Sequence, residues 1–166
     1  MIRIEAAAWQ VILDHAQLAY PRECCGILLG VEQADGARVV TSAFPSRNAY
    51  EGDQSDRFVI DPRDQVISNL KCRSEDTDIL GFFHSHPDCD AYFSATDLKH
   101  SWPWYSNVVL SIRQGELATA AAFRASEDQS RSEPEELLYP PTSIPMSPGM
   151  LTTGPAEETP RIESAP

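Results

Sequence analysis

The chain has 166 residues, 42% hydrophobic and 23% charged, with 25 acidic side chains against 13 basic ones and a formal net charge of −12. That length holds one domain with a core of its own, and an acidic surface without a basic stripe excludes recognition of a nucleic-acid backbone, which needs Lys and Arg to neutralise phosphates. No apolar run of about 18 residues is present, and Met1-Ile2-Arg3-Ile4-Glu5 lacks the parts of a secretory signal, so a cytoplasmic protein without a membrane partner is expected.

In residues 6–20, Trp9, Ile12, Leu13 and Ala16 recur at helical spacing, predicting an amphipathic helix closed by Pro21. Residues 24–31 and 37–44 flank Asp35-Gly36, a hairpin signal. Residues 45–56 are polar and aperiodic, hence a loop, and residues 57–60 predict another strand. Asp61-Pro62 marks a helix start, because Asp caps orphan N–H groups and proline at the first helical position forfeits none that was in use. That helix is predicted to reach about residue 73 and to bury Val66, Ile67 and Leu70.

Residues 79–83 are apolar almost throughout, as in a central strand covered on both faces. Ser94 starts a short helix, and residues 107–112 and 117–123 flank Gln114-Gly115 as a second hairpin. Eight of the thirteen prolines lie at or beyond Pro134. Residues 135–139 offer one edge strand, while residues 140–166 hold too little apolar surface to offset ordering entropy and are predicted disordered. The expected fold class is α/β, with a mixed, mostly antiparallel central sheet flanked by helices. The expected organisation is a main domain over residues 1–124, an edge strand and linker at 125–139 and an acidic Pro-rich tail at 140–166.

The chemistry concentrates where the central strand ends. Alternate residues of a strand share a face, so His84 and His86 aim at one point while Ser85 faces away. Pro87 offers no N–H to a ladder and turns the chain, and the loop 88–93 can return Asp97 to the same place. Two imidazoles and a carboxylate with an open fourth position make the donor set of a catalytic zinc ion. Such a site needs a base beside its water, and Glu23, in Pro21-Arg22-Glu23-Cys24-Cys25-Gly26, is the candidate. His15 and His100 are expected on the surface, and Trp102, Trp104 and Tyr105 are expected to pack in the core. Cys24, Cys25, Cys72 and Cys89 form no CxxC pair and are expected as thiols. Cys89 lies near the site, but both nearby histidines would be spent on the metal, leaving no base to activate it.

Glu23 ahead of a glycine-containing strand, then His84-x-His86-Pro87, six residues and Ser94-x-x-Asp97, resembles the full motif of the JAMM (MPN-plus) metalloproteases. The similarity spans residues 5–124 and is nearest to small bacterial members that cut ubiquitin-like or sulfur-carrier proteins at their C-terminal tails. The resemblance implies a JAMM/cytidine-deaminase-like fold and one Zn2+ held by His84, His86 and Asp97. It further implies Glu23 as general acid/base, Ser94 as donor to the developing oxyanion, and a partner with a flexible glycine-rich C-terminus. Ser94-Ala95-Thr96-Asp97 would also make a good helix start without any metal. The competing reading is a non-catalytic interaction module of the same fold. A nucleobase deaminase would need H-x-E and P-C-x-x-C, and neither occurs. Substrate choice is expected to reside in the loops 45–56 and 88–93; the leaving group and the oligomeric state stay open.

Overall fold

The computed structural model describes residues 1–141, so the disorder predicted for residues 140–166 falls almost wholly outside the described residues. The elements in chain order are β1 (Ile2–Ile4), α1 (Ala6–Ala19), β2 (Cys25–Glu32), β3 (Arg38–Ser46), α2 (Pro62–Glu75), β4 (Asp78–Pro87), α3 (Ala95–His100), β5 (Ser106–Arg113), β6 (Glu116–Ala125), β7 (Ser132–Glu135) and β8 (Leu137–Leu138). All eight strands form one sheet in the order β7-β6-β5-β4-β2-β3-β1-β8. Both predicted hairpins are present as antiparallel pairs, β2 with β3 and β5 with β6, and β2 also runs antiparallel to β4. β4 and β5 are parallel.

The fold class is therefore the expected mixed, mostly antiparallel α/β sheet with helices on its faces. Among the described residues no helix is long and apolar enough to cross a membrane.

β1 was not foreseen, since three residues carry no readable period. Residues 135–139 contribute to two short strands at opposite edges of the sheet rather than to one, with only Glu136 between them. Such a connection requires the sheet to curl until its edges meet. α1 fills the hollow: Trp9, Ile12 and Ala16 pack against Leu28, Phe83, Val108 and Leu110, and Trp9 stacks on Tyr139 at 4.3 Å.

α2 covers the other face but not with the residues expected. Val66, Ile67 and Leu70 are exposed, at 61%, 49% and 59%, whereas Ser68 and Cys72 are buried, Cys72 against Ile27 and Leu29. The rotation is set by polar tethers. Asp61 accepts from Arg63 N at 2.9 Å as the cap, and Asp64 Oδ2 accepts from Ser46 Oγ at 2.8 Å and Arg47 N at 3.1 Å. Asp64, Ser68 and Cys72 recur every four residues, so this small-residue stripe turns inward with Asp64 and lets the helix approach closely.

Residues 57–60 are not a strand: Ile60 makes a lone bridge to Asn48. The Asn48 side chain replaces a ladder there, its Oδ1 accepting from Val59 N at 3.1 Å and Tyr50 N at 3.0 Å. His15 is half-buried rather than a surface residue, with Nε2 donating to Cys25 O at 3.2 Å and Ser46 O at 3.3 Å. His100 is exposed.

Candidate metal centre

β4 sits between β2 and β5, with His84 opposite Cys25 on one side and His86 opposite Ser111 on the other. The two rings share a face as strand alternation requires, buried, with their Nε2 atoms 3.1 Å apart. Past Pro87 the chain reverses at Asp88, a left-handed residue at φ 54. Its carboxylate is tied to Tyr20 OH at 2.8 Å and to Gln114 N at 3.1 Å, which holds a backbone conformation that few non-glycine residues adopt.

The turn sends the Asp90 carbonyl back to His86 Nδ1 at 3.0 Å. A carbonyl only accepts, so Nδ1 carries the proton and the Nε2 lone pair faces the cluster. Burial and the neighbouring His84 push the His86 pKa down, favouring the neutral ring.

α3 begins with a reciprocal capping box. Asp97 N donates to Ser94 Oγ at 3.1 Å, and Ser94 N donates to Asp97 Oδ2 at 2.8 Å. The same Oδ2 lies 3.6 Å from His84 Nε2. Burial works to raise the Asp97 pKa, but hydrogen bonding and attraction from His84, with the Ser94 bonds, hold it near 2. One ligand atom from each of His84, His86 and Asp97 falls within 4.8 Å of the others, a grouping compatible with a metal ion.

Glu23 joins them from the link between α1 and β2. Cys24 N donates to Ser85 Oγ at 2.9 Å and Ser85 N donates to Cys24 O at 3.2 Å, clamping that link to β4 between the two histidines. Glu23 N donates to Gln54 O at 2.7 Å, and Asn48 Nδ2 donates to Glu23 O at 3.3 Å. The side chain is 6% exposed and Oε1 stands 3.9 Å from His86 Nε2. Burial, then the negative charges of Asp97 and Asp56, raise its pKa to about 8 against the opposing pull of Arg57. Ser85 faces away from the two histidines as strand alternation predicts; its role in fastening the Cys24 link is not legible in the sequence, because it depends on a segment 61 residues earlier in the chain.

All five residues singled out from the sequence, Glu23, His84, His86, Ser94 and Asp97, line one cleft of 840 Å3. Phe58 stacks on His84 at 4.6 Å and Tyr92 packs on His86 at 4.8 Å, so aromatic rings shield the cluster from both sides. Trp102 and Trp104 stack at 5.5 Å on the cleft wall but are 56% and 54% exposed, contrary to the core packing expected of them. The two follow the short α3, whose residues are none of them buried, so no hydrophobic layer lies there to receive them. Tyr105 packs edge-on against Phe82 at 5.1 Å. All four cysteines are free; burial pushes the Cys24 and Cys25 thiols up to about 12, while Cys89 is exposed on the cleft wall.

Residues 5–126 match the family described as prokaryotic homologs of the JAB domain. The chain is similar to a desampylase of Haloferax volcanii, 35% identical over 115 residues that span 66% of this chain and 80% of that protein. Among solved structures it is similar to a protein from Desulfitobacterium hafniense, with TM-score 0.73 and 29% identity, covering 84% of this chain and 93% of the other. A JAB1/MPN domain protein from Archaeoglobus fulgidus has the same fold, with TM-score 0.51 and 17% identity over 84% of this chain and 98% of that one. With a match over residues 5–126, which include every residue lining the cleft, the chain belongs to the JAB domain family, among its prokaryotic homologs.

Proposed function

We propose that this protein is a zinc-dependent peptidase or isopeptidase that hydrolyses an amide bond at the C-terminal tail of a ubiquitin-like or sulfur-carrier protein. The observation that carries the reading is a buried glutamate 3.9 Å from His86 Nε2, beside three convergent metal donors. Similarity to a desampylase supports the substrate class. The donor set fits zinc: tetrahedral Zn–N bonds of about 2.0–2.1 Å place two nitrogens about 3.3 Å apart, and the histidine Nε2 atoms lie 3.1 Å apart.

His84, His86 and Asp97 would hold the ion, which supplies a Lewis acid and a bound water of pKa about 7. The remaining roles belong to the chain. Glu23 accepts the proton of the attacking water and returns it to the leaving nitrogen, a role that its carboxylate, buried 3.9 Å from His86 Nε2, is placed to perform. Ser94 Oγ accepts from Asp97 N, so its own hydroxyl proton remains available to the carbonyl oxygen as charge builds there. Phe58 and Tyr92 limit water around the imidazoles. The water oxygen ends on the carbonyl carbon, the C–N bond breaks, and nitrogen leaves as an amine.

The test measures zinc content and tail cleavage together in a Glu23→Gln variant. Zinc retained with turnover lost is the expected result; undiminished turnover removes Glu23 from the chemistry. A non-catalytic interaction module is the competing reading, and protein purified without chelator that contains no metal would favour it.

A further inference from the structure

Arg57 has no part in the chemistry above, yet it lines the cleft. It is the one Lys or Arg among the residues lining the cleft, whose walls also carry the acids Glu23, Asp56 and Asp97. Among the described residues it forms no ion pair. Its recorded side-chain bond is Nη1 donating to Thr96 Oγ1 at 2.9 Å, which leaves most of a planar fork of N–H donors unused.

The segment is also fixed in place. Thr96 stands beside Asp97 in the first turn of α3, Phe58 next in sequence lies on the His84 ring, and the Arg57 carbonyl accepts from Asn48 Nδ2 at 2.9 Å. An exposed arginine tied at its tip to the helix that carries Asp97, and at its backbone to Asn48, whose side chain also bonds the Glu23 carbonyl, is a cation held beside the donor cluster. Its charge reaches Glu23, whose pKa it lowers.

We infer that Arg57 reads the free α-carboxylate of a C-terminal residue leaving the substrate tail, so that the site releases terminal amino acids in preference to splitting lysine-linked conjugates. The inference rests on the hydrolytic function proposed above and names its leaving group. In a terminal amino acid the carboxylate is one carbon from the scissile nitrogen, close enough for a cation beside the metal cluster to grip. In a lysine-linked conjugate the leaving amine ends a four-carbon stem, and no anion accompanies it. An incoming carboxylate meets the negative charge of Asp56 on the cleft wall, and Arg57 is the lining guanidinium that can offset it by the bidentate pairing it makes best. Hydrolysis stays balanced: water adds across the amide, the tail keeps a new carboxylate, and the amino acid leaves with its original one.

The experiment uses the full chain loaded with zinc and three substrates built on one diglycine-tailed ubiquitin-like protein. One carries an added C-terminal residue as the free acid, one carries the same residue as its amide, and one is joined to a peptide lysine; cleavage is read by intact mass. A charge-assisted pair predicts that wild type prefers acid to amide by about tenfold or more in kcat/KM, with the lysine-linked substrate slowest, and that in Arg57→Gln the acid-to-amide ratio falls to near one. Titration of acid and amide tails into the Glu23→Gln protein is expected to show the same preference in affinity, which Arg57→Gln added to it removes. Equal handling of acid and amide by wild type overturns the inference while leaving the hydrolase reading intact. So does an Arg57→Gln variant that slows both by one factor, which would assign Arg57 to tuning Glu23. Cleavage of none of the three by wild type overturns the hydrolase reading and this inference together.

Discussion

The Asp97 oxygen that accepts the Ser94 backbone N–H at 2.8 Å is the one that stands 3.6 Å from His84 Nε2. One carboxylate thus closes the start of α3 and faces the imidazoles, so the helix cap aims the third donor.

Under the proposed mechanism Ser94 caps α3 and also donates to the carbonyl oxygen, two duties that substitution can separate. Ser94→Ala removes the cap and is expected to cost about 1 kcal/mol of stability, and to lower kcat by about 10²-fold or more. Ser94→Asp keeps a capping acceptor but has no proton to donate at neutral pH. Thermal melting and turnover measured side by side should show stability recovered by Asp and turnover still lost; recovered turnover would assign Ser94 to capping alone.

Removal of metal by chelation is expected to abolish turnover and lower Tm, with zinc restoring both. A ligand that binds only the folded chain adds stability by mass action, about 2.7 kcal/mol at a hundredfold excess over Kd. Asp97→Asn keeps the size of the side chain but removes a charge that is otherwise ionised above pH of about 2. It should weaken zinc retention in dialysis followed by elemental analysis, and an unchanged zinc stoichiometry would remove Asp97 from the donor set.

Glu23 gives the metal-free protein a pH-dependent weakness. Its folded pKa, about 8, lies above the ordinary 4.5, so the folded state binds the proton more tightly than the unfolded chain does. The associated stability is complete below pH 4.5 and is lost as pH rises to 8. Glu23→Gln cannot ionise. In chelator, the Tm of wild type should fall relative to that of the variant across this interval and run parallel to it below; parallel curves throughout would contradict the raised pKa.

The exposed apolar stripe of α2 predicts a contrast in stability. Val66→Lys with Leu70→Lys should change unfolding free energy by no more than about 0.5 kcal/mol per site. Ile12→Ala, in the core beneath the sheet, should cost about 2–5 kcal/mol. Denaturant unfolding decides, and a large loss from the α2 pair would restore those residues to the core.

Much of this architecture is written locally. Period-two alternation puts His84 and His86 on one face, Asp35-Gly36 and Gln114-Gly115 turn the hairpins, and Asp61 and Ser94 start their helices, because backbone geometry and capping bonds act over a few residues. Helical spacing likewise identified the inward face of α1, where Trp9, Ile12, Leu13 and Ala16 are buried.

What lies beyond a few residues was decided by packing. Glu23 reaches His86 because Cys24 and Ser85 are clamped by two hydrogen bonds, a register between strands far apart in the chain. α2 turned Val66, Ile67 and Leu70 outward because Asp64 is tethered to Ser46 and Arg47, and a hydrophobic pattern does not encode a rotation set by such polar anchors. Trp102 and Trp104 stand at the cleft because α3, none of whose residues is buried, leaves them no layer to pack into, and β7 and β8 occupy opposite edges because the sheet curls around α1, both long-range outcomes that local composition leaves undetermined.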